Sequence, residues 1–163
     1  MSLSGFKPII GIDPKCMILG SMPSVTSLAK QEYYGFRHNR FWSILAEYYQ
    51  LTLSDYSAKQ NCIKNNHLIL WDVIASCDRE GSLDSAIRNV VCNDIAAVAD
   101  QYPSLHLILC NGKKSYELYQ RYIQPQLALE CVCLPSTSNA NRTISNQELY
   151  QKWFEQLSRI EKG

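Results

Sequence analysis

Cys16-Met17-Ile18-Leu19-Gly20, running on into Ser21-Met22-Pro23-Ser24, is the stretch that decides the fold. Five residues without polar alternation, then a cluster of small and turn-forming ones, describe a short strand covered on both faces that ends in a loop. Residues 67–71 (His-Leu-Ile-Leu-Trp), 105–110 (Leu-His-Leu-Ile-Leu-Cys) and 130–134 (Glu-Cys-Val-Cys-Leu) repeat the pattern, each stopping at Asp, Asn or Pro. Between them lie helix-like stretches: 40–49; 82–88, opened by Ser82; 93–101, capped by Asn93; 113–122, after Gly112; and 146–160, opened by Asn146 with Glu148 in its first turn. Strands alternating with helices predict an α/β fold, a three-layer α/β/α sandwich around a central four-stranded parallel sheet. A ligand site in such a fold belongs at the carboxyl ends of the strands. Gly20–Ser24 and the second loop, Leu134-Pro135-Ser136-Thr137-Ser138-Asn139-Ala140-Asn141, both sit at such ends.

The 163 residues suit one domain spanning 1–163, with residues 1–15, broken by Pro8 and Pro14, as an extended lead-in. Sixteen Lys and Arg against fifteen Asp and Glu leave a formal charge of +1, so any contact with DNA must be local rather than a broad basic face. Seven scattered cysteines form no CxxC and have no paired histidines beside them, which argues against zinc or an iron–sulfur cluster and for reduced core thiols in a cytoplasmic protein. No apolar run approaches the length of a membrane span, and the N-terminus lacks the layout of a signal peptide.

The ordered set Gly20-Ser21-Met22-Pro23-Ser24, Ser27-Leu28, Tyr33-Tyr34, Asn39-Arg40-Phe41-Trp42, Leu70-Trp71-Asp72-Val73, Arg79-Glu80-Gly81-Ser82-Leu83-Asp84, Asn111-Gly112-Lys113-Lys114 and Leu134-Pro135-Ser136-Thr137-Ser138 resembles the uracil-DNA glycosylase superfamily. The closest likeness is to its hypoxanthine-DNA (deoxyinosine) glycosylase branch. The resemblance implies a monofunctional enzyme that flips a deaminated base out of DNA and hydrolyses its N-glycosidic bond, leaving an abasic site. It implies neither metal nor cofactor, and a monomer suffices for one site.

By the same resemblance Asn39 holds the attacking water or its sugar-side partner, because Met22 stands where other members carry an Asn or Asp. The local alternative is that Asn39 caps the helix after it. Tyr34 matches the aromatic whose face covers the flipped base, with ordinary packing as the alternative. Asp72 falls where other members read the base edge: an ionised carboxylate accepts from the N1–H of hypoxanthine and faces the bare N1 of adenine. A capping or salt-bridged aspartate is its alternative. Met22 completes the base-binding set.

Ser24, Ser136, Ser138, Lys113 and Lys114 are candidates for gripping phosphates, although the two lysines also suit a solvated helix start. Leu134 replaces a histidine used by many relatives, so leaving-group stabilisation must come from elsewhere. Asn139 replaces a proline frequent in the branch. Any of Asn139, Ala140, Asn141 and Arg142 could then fill the gap left by the flipped nucleotide, and Asn141 and Arg142 join the DNA-contact candidates. Uracil or xanthine as substrate, a non-catalytic module for damaged nucleic acid, and a nucleoside-binding domain are the competing readings.

Overall fold

The computed structural model describes residues 2–160; the extreme ends of the expected 1–163 domain, Met1 and residues 161–163, lie outside the described residues. The chain runs β1 (Ser2–Ser4), β2 (Ile9–Ile10), β3 (Cys16–Gly20), α1 (Val25–Lys30), α2 (Phe41–Tyr49), α3 (Tyr56–Asn65), β4 (Leu68–Asp72), β5 (Ile74–Asp78), β6 (Arg88–Cys92), α4 (Ile95–Asp100), β7 (Leu107–Asn111), α5 (Lys113–Leu118), β8 (Glu130–Leu134) and α6 (Asn146–Leu157). The fold is α/β. None of its described helices is long and apolar enough to cross a membrane.

The four apolar runs pair in parallel in the order β4-β3-β7-β8, and every residue of β3, β4 and β7 is buried. Cover on both faces explains why these strands show no polar alternation. The sheet is nevertheless five-stranded and mixed rather than four-stranded and parallel: β2 adds antiparallel to the outer edge of β4. Two residues between prolines carry no period from which a strand could be read. The first long strand, β3, lies between β4 and β7, so the connections leave it in opposite directions. That reversal opens a crevice at the carboxyl end of β3, where ligands of open α/β sheets bind.

A second, antiparallel sheet of order β1-β5-β6 follows directly from Asp72 through Val73 into β5. It overturns the helix expected over 82–88. Asp84–Ala86 make a single 3₁₀ turn, and Arg88-Asn89-Val90-Val91-Cys92 pairs with β5 as a strand. The β-branched pair Val90-Val91 favours that outcome. Ser82 caps no helix; its hydroxyl accepts from the Val25 N–H instead.

Elsewhere the helix starts move by a residue or two. Asp94, not Asn93, caps α4, and Ser145 caps α6. The expected 113–122 helix keeps its α-helical form only to Leu118 and passes into a π-helical turn at Tyr119–Ile123. The helices α1 and α3 were not foreseen. α1 is only six residues long and α3 is polar, so neither shows a clear apolar stripe, and each is started by a side-chain cap, Ser24 for α1 and Asp55 for α3.

Candidate active site

A cavity of about 590 Å³ opens at the carboxyl ends of the parallel strands. Gly20 ends β3, Asp72 ends β4 and Asn111 ends β7, while Ser136 and Thr137 follow β8; all five line it. The two loops singled out in the sequence therefore face one space.

Asn39 stands in the turn before α2. Its Oδ1 accepts from the Phe41 N–H at 2.9 Å and from the Thr137 hydroxyl at 2.8 Å. A backbone N–H can only donate, so this contact fixes which way the amide faces. The helix-start reading and the site reading thus describe two ends of one group: the oxygen serves the first residue of α2, while Nδ2, without a partner among the described residues, belongs to a residue of the cavity wall. Thr137 is fully buried and organises the rest. Its hydroxyl receives an N–H from Asn111 Nδ2 at 3.0 Å, and its backbone N–H donates to Asn111 Oδ1 at 3.0 Å. Asn111 Nδ2 also donates to the Tyr34 hydroxyl at 3.1 Å. One hydrogen-bonded chain therefore runs Tyr34–Asn111–Thr137–Asn39.

Tyr34 lies stacked on Phe41, with ring centroids 4.2 Å apart and 25° between planes. Its backbone φ is 51°, a left-handed conformation that a bulky side chain adopts at a cost of about 1–3 kcal/mol and that is usually met where function demands it. Burial, with the charge of Asp72 adding to it, holds its phenol above the usual range, so it stays protonated. Gly20 makes room for this arrangement: a Cβ there would lie 2.5 Å from Asp72 Oδ1 and 2.8 Å from the Tyr34 hydroxyl.

Asp72 is 4 % exposed, and its Oδ2 has no hydrogen-bond partner among the described residues. Burial raises its carboxyl from 3.8 to about 7; the charge of Asp84 pushes the same way and that of Arg79 opposes. The carboxylate assumed fully ionised from the sequence is therefore divided between its two forms at neutral pH. It neither caps a helix nor forms a salt bridge. Asn93 Nδ2 donates to its backbone carbonyl, which helps fix the end of β4.

Arg40, at the start of α2, binds the second loop to that helix. Its Nε donates to the Thr137 carbonyl, Nη2 to the carbonyls of Ser138 and Asn141, and Nη1 to Asn146 Oδ1. Trp153 Nε1 donates to the Pro135 carbonyl from behind. A guanidinium spread over four acceptors is a strong, charge-assisted clasp.

A family model for the uracil DNA glycosylase superfamily matches residues 8–158. The chain belongs to that superfamily. Among its relatives, a protein named Hypoxanthine DNA glycosylase from Methanosarcina acetivorans is 38% identical over 143 residues, covering 86% of this chain and 89% of that one. A protein of the same name from Methanosarcina barkeri is 36% identical over 144 residues, covering 87% and 90%. The solution NMR structure of a candidate uracil DNA glycosylase from Methanosarcina acetivorans superposes with a TM-score of 0.85 at 34% identity, covering 99% of both chains.

Within this superfamily site, the structure brings together Met22, Ser24, Tyr34, Asn39, Asp72, Ser136, Ser138 and Asn141 on the cavity wall. It does not bring in Lys113, Lys114 or Arg142. Both lysines ride the outer start of α5 and Arg142 is exposed beyond the loop, so no lysine or arginine lines the cavity among the described residues. Several serines already have local work: Ser24 Oγ caps α1, and Ser138 Oγ accepts from Ala140 N–H. Asn141 Nδ2 closes its own loop on the Ser136 carbonyl. Buried Leu134 presents no polar group. Asn111, Thr137 and Arg40 stood in the quoted motifs without an assigned role. Their only signal was a polar side chain at the end of an apolar run or inside an aromatic segment, and their contacts depend on partners 26 to 106 positions away.

Proposed function

We propose that this protein is a monofunctional DNA glycosylase that removes deaminated bases, with hypoxanthine as its main substrate, and that Asn39, Tyr34 and Asp72 carry the reaction. The observation that supports it best is the Asn39 amide, held by its oxygen on two donors with its N–H₂ left for a water or substrate. The kinship with two relatives named Hypoxanthine DNA glycosylase points the same way.

In this mechanism the flipped base enters the cavity and lies against the face of Tyr34 not covered by Phe41. Stacking of this kind is worth roughly 1–3 kcal/mol per base. As the N-glycosidic bond lengthens, its electron pair leaves with the base and positive charge grows on the sugar. Asn39 Nδ2–H donates to one lone pair of a water, holding the other toward the anomeric carbon. The water's oxygen bonds to that carbon, and the proton it loses ends on the departed base. An oxocarbenium-like sugar needs a well-placed water more than a strong base, and a positioned neutral amide supplies that.

Asp72 reads the base edge. In its ionised form it accepts the N1–H of hypoxanthine and presents only lone pairs to the N1 of adenine. In its neutral form the carboxyl O–H can also donate, which serves adenine N1 as well as hypoxanthine O6. A pKa near 7 leaves both forms populated at neutral pH. With no cation on the cavity wall, phosphates on either side are gripped by hydroxyls and backbone N–H groups, and by Lys113, Lys114 and Arg142 only outside the cavity.

The deciding experiment uses end-labelled oligonucleotides carrying one hypoxanthine, uracil, xanthine or adenine, treated with alkali after incubation. Scission strongest at hypoxanthine is the expected result. Scission confined to uracil would overturn the substrate assignment, and none at any base would overturn the enzyme.

A further inference from the structure

We propose, resting on the glycosylase reading above, that Leu83 is the wedge that enters the base stack when a nucleotide is flipped. The sequence directs attention to the 139–142 tip, but that tip carries only polar side chains and Ala140. Leu83 stands in a different segment of the wall, the turn between β5 and β6. It lines the cavity, yet 61 % of it is exposed, and of the large apolar side chains most open to solvent it alone lies on the cavity wall. Val25, 53 % exposed but outside the cavity wall, is tied to the same segment through its N–H on the Ser82 hydroxyl.

The backbone beneath Leu83 is pinned from both sides. The Ser82 hydroxyl accepts from Val25 N–H at 2.9 Å, and Asp84 Oδ1 accepts from the Ser21 hydroxyl at 2.7 Å. Buried Arg79 donates to the carbonyls of Gly81 and Pro23 at 2.7 and 2.6 Å, and the Leu83 carbonyl accepts from Ala86 N–H. An exposed leucine gains nothing from such support in the free protein. A wedge needs it, since a side chain driven between bases must not fold back. The neighbours Glu80 and Asp84 are carboxylates, so this rim does not grip phosphates. What it offers DNA is an apolar tip, the kind of group that replaces lost stacking when a base leaves the helix.

The test compares the unaltered protein with Leu83→Ala on duplexes in which the hypoxanthine lies opposite either a normal base or a pyrene nucleotide, whose flat hydrocarbon fills the gap itself. Loss of the wedge should lower kcat/KM roughly 10- to 100-fold opposite the normal base, and pyrene should restore it to within about twofold of the unaltered protein. A 2-aminopurine beside the lesion should report less unstacking on binding Leu83→Ala. A variant as active as the unaltered protein, or one equally impaired opposite pyrene, overturns the wedge. Base release by the unaltered protein, read as strand scission after alkali, alongside either of those results leaves the glycosylase reading standing, whereas no base release by the unaltered protein defeats both.

Discussion

Replacing Asp72 by Asn should make the protein more stable above neutral pH and leave it unchanged in acid. In the unfolded chain the carboxyl ionises near 3.8, and in the native cavity near 7. The native state therefore binds the extra proton between those values, and every step upward in pH across that window costs stability. At about 1.4 kcal/mol per pH unit, the penalty is complete above pH 7 and reaches ~4 kcal/mol, an upper estimate for a group whose surroundings can relax. An amide of the same shape carries no such penalty. Urea unfolding of both proteins from pH 4 to pH 9 reads it directly. The gap between them should be small near pH 4, widen by up to about 1.4 kcal/mol per unit, and flatten beyond pH 7. Parallel curves would refute the reasoning, because they would mean that the carboxyl titrates in the native protein as it does in the unfolded one.

The same carboxyl should tie fidelity to pH: the ratio of kcat/KM for hypoxanthine over adenine should rise as pH passes upward through about 7, where the adenine-tolerant neutral form disappears. A flat ratio from pH 6 to pH 8.5 would remove Asp72 from base readout. Thr137→Val removes the hydroxyl that fixes the Asn39 amide and should lower kcat by about 100-fold with little change in KM, while Thr137→Ser, which keeps the hydroxyl, should recover most of it. Asn39→Ala should remove product while the melting curve still shows a folded protein. Asn39→Asp keeps the oxygen that holds Phe41 and Thr137 but loses the N–H donor, so it should fall as far as the alanine variant; retained turnover would show that the donor is dispensable.

The parallel strands were legible because burial on both faces leaves an unmistakable mark, an apolar run ended by a turn. The small sheet, and the edge strand β2 of the large one, were not. β1 and β2 are three and two residues long, and β6 carries Arg88 and Asn89 on an exposed edge, so neither period nor hydrophobicity separates them from loop. Asn39, Tyr34 and Asp72 became candidates through the family's motifs, since each alone suits an ordinary cap or packing residue, and all three line the cavity. The motifs could not reveal that Asn39 holds the Phe41 N–H and lines the cavity at once, nor that burial raises the Asp72 carboxyl to about 7. Both depend on neighbours from distant parts of the chain: Thr137 lies 98 positions from Asn39. The misplaced helix at 82–88 hid the wedge candidate, because a helix there would have turned Leu83 into one more face residue.

The Arg40 clasp also bears on how the protein is made. Its four hydrogen bonds join a residue in the first third of the chain to partners 97 to 106 positions later. Until β8 and the start of α6 have been synthesised and docked, the carbonyls that Arg40 holds do not exist, and Asn39 has no Thr137 to orient it. A nascent or truncated chain can therefore have the first loop in place and still lack a working cavity. Catalytic competence arrives as the last stage of assembly, a useful order for an enzyme whose unfinished form would otherwise be free to pull at intact DNA.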